Sequence, residues 1–417
     1  MDRFIINGGR PLQGTVSISG AKNAALPIMA ATLLAPGTHR LNNVPALRDI
    51  DTMAQMLEHL GCKVSHNGAL EVCANHLNFD EAPYDLVKTM RASVLVMGPL
   101  VARLRHARIS LPGGCAIGAR PINLHLKAME ALGADIHLKD GYAEVIASRL
   151  KGADIHFDVV TVTGTANAMM AAAVADGTTT ITNAAREPEI IDLALFLSSM
   201  GADIEGAGSD RIVIRGVPQL KPAEHTVVAD RIEAGTFMIA AAITGGDIVL
   251  ENVPTEFLQT AMARLEESGV RFESTSRGLR VTGPEALASV DVTTAPHPGF
   301  ATDLQAQFTA LMAIAEGTSV ITETIFENRF MHIPELARMG ADISVDGGTA
   351  VVKGMGKLTG APVMATDLRA SASLVLAGLA AEGTTEIDRI YHIDRGYERI
   401  EERLRALGAD IERVSVE

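Results

Sequence analysis

Two hydrophobic phrases recur along the chain, each predicting a helix, a glycine turn and a strand. In the first, an apolar helix ends in a glycine turn before a strand: LAPGTHRL, VADGTTTI, TGGDIVL, AEGTSVI and AEGTTEI. In the second, a helix end runs through glycine into another strand: LEHLGCKV, MEALGADI, LSSMGADI, LEESGVRF, LARMGADI and LRALGADI. The glycines of the second phrase are Gly61, Gly133, Gly201, Gly269, Gly340 and Gly408, spaced 72, 68, 68, 71 and 68 residues apart. Each sits where a left-handed residue closes a helix. The turn glycines of the first phrase, Gly37, Gly177, Gly246, Gly317 and Gly383, keep this period but skip one copy near residue 108.

Six copies of one strand–helix module of about seventy residues are too long for solenoid repeats and suit a small α/β unit. They predict two domains of three modules, with the boundary in VVADRIEAG, residues 227–235. The first twenty residues precede the first module helix and can pair with the second half. The expected domains are therefore 1–20 with 230–417, and 21–229. Two similar domains joined by short crossings invite a cleft and a closing motion. Where the skipped turn is expected stands RHARISLPGGCAIGARP; the loop LPGGCAIGARP (111–121) is read as replacing and extending that turn, a functional insertion.

Composition narrows the class of function. The chain has 417 residues, 47% hydrophobic and 21% charged, as expected for a globular protein. No apolar run is long enough to cross a bilayer, and AALPIMAATLLA (24–35) is too far from the start and contains a proline. A cytoplasmic protein is expected. The formal charge of −14, the absence of tryptophan and the 4% aromatic content argue against nucleic acid or an anionic membrane as partner. Cys62 and Cys73 read as core thiols; Cys115, in the glycine-rich loop, does not. No pair has metal-ligand spacing, so no metal is expected.

Aligned on their closing glycines, the apolar helices begin at Lys22-Asn23, about Arg91, Thr163, Asp230, Asp303 and Asp367. Threonine and aspartate there read plainly as N-caps. Lys22 and Arg91 oppose the helix dipole, and make sense if an anion lies beside them. Arg120, Arg329 and Arg395 follow turn-like text; singly each is an ordinary surface residue, but grouped they read as clamps for phosphate and carboxylate. No GxxxxGK[ST] loop and no GxGxxG after a strand is present, which removes support from nucleotide hydrolysis and nicotinamide chemistry.

SGAKNAALP (19–27), LPGGCAIGARP (111–121), AAREPEI (184–190), DRIEAGTF (230–237), FENRFMHIPEL (326–336), ATDLRASASL (365–374) and HIDRGYERIE (392–401) resemble the enolpyruvyl transferases. Within them the likeness is to the branch that modifies UDP-N-acetylglucosamine for peptidoglycan. It implies a two-domain inside-out α/β barrel built from six copies of one module, three per domain. It also implies transfer of the enolpyruvyl group of phosphoenolpyruvate to the 3-hydroxyl of UDP-N-acetylglucosamine, without cofactor or metal, by a monomer.

The resemblance assigns catalysis to Cys115, Asp303, Asp367 and Lys22. Cys115 would ride on a lid and protonate the methylene carbon; a thiol is mostly protonated at neutral pH, as a donor must be. Asp303 would be the base for the sugar hydroxyl and Asp367 a second carboxylate. Lys22, Asn23, Cys115, Arg120, Arg329, Arg369 and Arg395 would surround phosphoenolpyruvate. Asn23, Arg91, Arg120, Pro121, Ile122, Asn123, Leu124, Thr161, Val162, Thr163, Gly164, Asp303 and Ile325 would contact the sugar nucleotide. Asn123 stands where the family usually has Asp, and TVTGT (161–165) where others have SVGAT. A cysteine at 115 further implies alkylation by the epoxide fosfomycin. The rival readings are the sister branch that uses shikimate 3-phosphate, which lacks this cysteine loop, and a non-catalytic paralogue that binds the sugar nucleotide. The latter has no use for the thiol or both carboxylates.

Overall fold

A computed structural model describes residues 2–111 and 122–415. The chain divides into two compact units, one of residues 20–111 with 122–228 and the other of residues 2–19 with 229–415. Each unit contains three open four-stranded sheets, and none of the six closes on itself into a single barrel sheet.

The helices Lys22–Ala31, Val162–Ala172, Arg231–Thr244 and Leu368–Ala380 carry almost no exposed residue. A helix that is apolar all round has no face for water and takes the interior. In the second unit Arg231–Thr244, Gln305–Met312 and Leu368–Ala380 pack on one another, and in the first Val162–Ala172 packs against Met97–Leu104 and Lys22–Ala31. The strands outside them alternate, as in Thr178–Thr182, where Thr179 and Ile181 are buried between more exposed threonines. Small residues let these helices approach: a Cβ on Gly98 would lie 2.6 Å from the Asn167 carbonyl oxygen. This is the inside-out α/β arrangement.

Every module repeats one sheet order: a short edge strand, a parallel strand after the buried helix, then two antiparallel strands, which in five of the six form a hairpin. His106–Ser110, for example, pairs in parallel with Glu81–Ala82 and antiparallel with Tyr142–Ile146. Two modules take their edge strand from elsewhere in the chain. Glu224–Thr226 pairs with Thr38–Asn42, and Gln13–Ser17 with Asp247–Glu251. The last sheet takes in the chain's first strand, Asp2–Asn7, between Thr384–Asp388 and Asp410–Ser415.

All six periodic glycines have φ between 90° and 109°. After each, the next residue's N–H reaches back to the carbonyl five residues earlier, as in Cys62 to Leu57 and Ala409 to Leu404. This double-bonded helix end needs a left-handed residue, and glycine meets that need without Cβ strain. The skipped turn is present after all. Arg105 takes the left-handed conformation (φ 65°) at the end of Met97–Leu104, directly before His106–Ser110. An arginine there hides the period from a search for glycines. The loop 111–121 therefore does not replace that turn, contrary to expectation. It begins after the strand, where other modules cross to their outer helix over residues 43–47 and 183–187. Its residues Cys115, Arg120 and Pro121 lie outside the described residues.

Cys62 is buried, and desolvation pushes its thiol up to about 12. Cys73, expected in the core, is only half-buried at the end of Leu70–Cys73.

Candidate active site

In the unit of residues 20–228, Lys22 is the first residue of its helix, and Ala21 before it offers no side-chain cap. The ammonium is buried and lies 3.1 Å from Asp49 Oδ2, itself buried in the first turn of Arg48–His59. Burying both charges costs desolvation that the pair only partly offsets. Asn23 follows, half-buried. AAREPEI adds two buried carboxylates, Glu187 and Glu189, at the start of Pro188–Ser199, a helix that packs on the Lys22 helix. Arg91 opens the short 3-10 turn Arg91–Val96, so the expected single apolar helix is a 3-10 turn followed by Met97–Leu104.

Ile122 is buried, and Asn123 and Leu124 open Asn123–Ala131. Thr161, not Thr163, caps Val162–Ala172: its Oγ1 accepts the Gly164 N–H at 3.2 Å. Val162 and Thr163 are the first two helical residues, and Thr163 is exposed. A Cβ on residue 164 would come within 2.5 Å of the Thr161 methyl. The threonine cap and the glycine thus belong together, which accounts for TVTG in this segment.

In the other unit, Asp303 lies in the 3-10 turn Thr302–Leu304 and caps no helix with its side chain, unlike the expectation. Its carboxylate accepts from Arg329 Nη2 at 2.6 Å and from Arg369 Nε at 3.3 Å. Arg329 also donates to Thr302 Oγ1 at 2.7 Å, and the Thr302 hydroxyl in turn donates a hydrogen bond to Glu323 at 2.8 Å. The other oxygen of Glu323 accepts the Ile325 N–H at 2.8 Å, fixing the backbone at that residue. Burial opposes the charge on Arg369, but Tyr397, Asp303 and Asp230 outweigh it and raise its pKa. The Tyr397 hydroxyl is held by Thr236 at 2.9 Å and Gln307 at 3.0 Å.

Asp367 caps Leu368–Ala380, accepting the N–H groups of Arg369 and Ala370 at 2.8 and 2.9 Å. Asp230 caps Arg231–Thr244 in the same way, at 2.8 and 3.2 Å. Arg395 closes the turn Ile390–Arg395. Burial and then Arg395 lower His392, while Asp367 opposes them. Burial, with a smaller push from Arg329, takes the His332 pKa down to about 4 against the opposing charge of Asp367.

Asp303, Arg329 and Arg369 are therefore in direct contact, and Lys22 meets Asp49. Sequence reasoning did not single out Asp49, Thr302, Glu323 or Tyr397. Tyr397 lies inside HIDRGYERIE, and Asp49 carries the ordinary signal of an acidic first turn; Thr302 and Glu323 carry none. Among the described residues no group of three or more His, Cys, Asp or Glu side chains is placed to hold a metal ion, and no helix is long and apolar enough to cross a membrane.

The family model for EPSP synthase (3-phosphoshikimate 1-carboxyvinyltransferase) matches residues 6–404. A UDP-N-acetylglucosamine 1-carboxyvinyltransferase of Geobacter metallireducens is 61% identical over 415 residues, covering 99% of this chain and 100% of that one. One of Myxococcus xanthus is 58% identical over 417 residues, covering 99% of both. The crystal structure of the enolpyruvyl transferase NikO from Streptomyces tendae superposes with a TM-score of 0.89 at 30% identity, covering 100% of this chain and 99% of that one. EPSP synthase from Acinetobacter baumannii, at 19% identity and a TM-score of 0.77 over the whole of both chains, shares the fold. Over nearly its whole length, this chain belongs to the EPSP synthase family of enolpyruvyl (1-carboxyvinyl) transferases.

Proposed function

We propose that the protein transfers the enolpyruvyl group of phosphoenolpyruvate to the 3-hydroxyl of UDP-N-acetylglucosamine and releases phosphate. The observation that carries this reading is the 61% identity, end to end, with a UDP-N-acetylglucosamine 1-carboxyvinyltransferase. By this reading the enzyme commits the sugar nucleotide to peptidoglycan in the cytoplasm, as a monomer, serving cell-wall growth and division.

The reaction adds and then eliminates. A proton joins the methylene carbon, the sugar oxygen bonds to the adjacent carbon, and the hydroxyl proton passes to a base. The carbon–oxygen bond to phosphate then breaks as a methyl proton leaves, restoring the double bond. Cys115 is the acid for the methylene carbon and Asp303 the base for the hydroxyl, with Asp367 beside the reacting carbons. Lys22, Arg120 and Arg395 hold the phosphate; Arg329 and Arg369, already aimed at a carboxylate in Asp303, suit the substrate's carboxylate. Asn23, Arg91, Arg120–Leu124, Thr161–Gly164 and Ile325 bind the nucleotide sugar. Preorganised cations of this kind stabilise the charge that moves onto the leaving phosphate.

The test is phosphate release from phosphoenolpyruvate with UDP-N-acetylglucosamine or shikimate 3-phosphate as acceptor, before and after fosfomycin. Release only with the sugar nucleotide, abolished by the epoxide, is expected. Release with shikimate 3-phosphate would overturn the choice of acceptor. Survival of activity after fosfomycin would remove Cys115 from the mechanism.

A further inference from the structure

The strand after each periodic glycine has the same place in every module, so the six copies can be compared position by position. Five residues after Gly61, Gly133, Gly201, Gly269 and Gly340 stand His66, Leu138, Gly206, Ser274 and Val345, every one exposed. Five residues after Gly408 stands Arg413, half-buried. The module does not ask for an arginine here, since five copies fold without one.

Among the described residues the Arg413 guanidinium meets three carboxylates. Nη2 donates to Asp394 Oδ1, and Nη1 lies 3.4 Å from both Asp394 Oδ2 and Asp2 Oδ2. Nε lies 2.8 Å from Glu401 Oε1. Asp2 belongs to the neighbouring first strand of the chain. Asp394 and Glu401 bracket a single segment. Asp394 stands directly before Arg395 in the turn Ile390–Arg395, and the buried Glu401 lies in the first turn of the helix Ile400–Ala406. Between them come Arg395 and Tyr397, whose hydroxyl is held by Thr236 and Gln307. A planar guanidinium that grips both ends fixes orientation as well as distance. Three carboxylates around one cation also repel one another, so the cluster is a poor device for stability alone.

We propose that Arg413 is a positioning residue for catalysis: by holding Asp394 and Glu401 it sets the segment between them so that Arg395 meets the phosphate of phosphoenolpyruvate. This rests on the enolpyruvyl transfer proposed above, in which Arg395 binds that phosphate. The sixth module then has its extra arginine because it alone carries this segment.

The test is a cycle of Asp394→Asn and Arg395→Ala, singly and together. Asp394→Asn keeps the size and an acceptor oxygen and relieves the repulsion, so the melting temperature should hold. Its kcat/KM for phosphoenolpyruvate is expected to fall about tenfold, with the Kd for UDP-N-acetylglucosamine alone unchanged. In the Arg395→Ala background the same change should cost nothing further, because the group it positions is gone. Arg413→Lys keeps the charge but not the fork, and should behave as Asp394→Asn does. Single-turnover phosphate release completes the cycle where steady-state turnover is too slow. Equal losses in both backgrounds, or parent-like activity in Asp394→Asn or Arg413→Lys, would overturn the proposal while leaving the reaction as assigned. A parent enzyme that releases no phosphate with the sugar nucleotide overturns the functional reading and this one with it.

Discussion

Two helices of one repeat family begin in opposite ways. Leu368–Ala380 starts under the carboxylate of Asp367, which accepts two of its free N–H groups. Lys22–Ala31 starts with an ammonium and has no side-chain cap. The first arrangement satisfies the helix dipole and stabilises the fold; the second works against the dipole and needs a buried carboxylate, Asp49, beside it. A module copied six times has the same structural needs in each copy. Where one copy sacrifices a cap for a buried cation, the residue answers to something other than folding.

The sharpest way to break the comparison is at Lys22. Lys22→Met should lower turnover by about a thousandfold and cost up to about 3 kcal/mol of stability, because Asp49 loses its ion-pair partner. Adding Asn at position 49 (Asp49→Asn) should recover stability in urea unfolding but not phosphate release. Recovery of both would make Lys22 a structural residue. Next in size, Asp367→Asn keeps a capping oxygen, so stability should hold while turnover falls about a hundredfold. Asp230→Asn, at the other carboxylate-capped start, should leave both unchanged. If the two variants behave alike, the caps do not differ in kind.

A smaller effect concerns the irregular turn. Arg105→Gly should raise unfolding stability by about 1 kcal/mol, since glycine adopts φ 65° without Cβ strain. No gain would mean that the arginine side chain compensates. The smallest concerns a surface contrast to the buried Lys22–Asp49 pair. His106 lies between Asp80 at 2.8 Å and Glu144 at 3.0 Å. Burial lowers its pKa, but the hydrogen bonds to Glu144 and Asp80 prevail and raise it. A raised histidine contributes stability that is fully present below its unfolded pKa of about 6.5 and is lost as pH rises through the folded value. With carboxylate partners this exposed, the change should be a few tenths of a kcal/mol. His106→Gln should flatten that part of the stability–pH profile.

The module and its number were legible because a left-handed helix end leaves few choices of residue, and the chain writes glycine at all six. The turn at Arg105 was not, since its backbone asks for a conformation that arginine can adopt at some cost. Lys22 and Arg91 stood out as misplaced charges, whereas Asp49 looked like any acidic first-turn residue. Asp303 was legible as a helix-start carboxylate but not in its partners. Arg329 and Arg369 are 26 and 66 residues away, and only the fold brings them to it.

The strand Asp2–Asn7 has a consequence for the making of the protein. It sits between Thr384–Asp388 and Asp410–Ser415, paired with both from Phe4 to Asn7. During synthesis it leaves the ribosome long before its neighbours, which emerge nearly 400 residues later; at five to twenty residues per second that is roughly 20 to 80 s. Residues 20–228 can meanwhile complete all three of their sheets, with the edge strand Glu224–Thr226 joining last. The N-terminal strand must stay soluble and unpaired throughout that interval. In the finished sheet Phe4 and Ile6 are buried and Arg3 and Ile5 partly open to water; while the strand waits, Phe4, Ile5 and Ile6 form one short apolar run that only the flanking Asp2, Arg3 and Asn7 keep in solution.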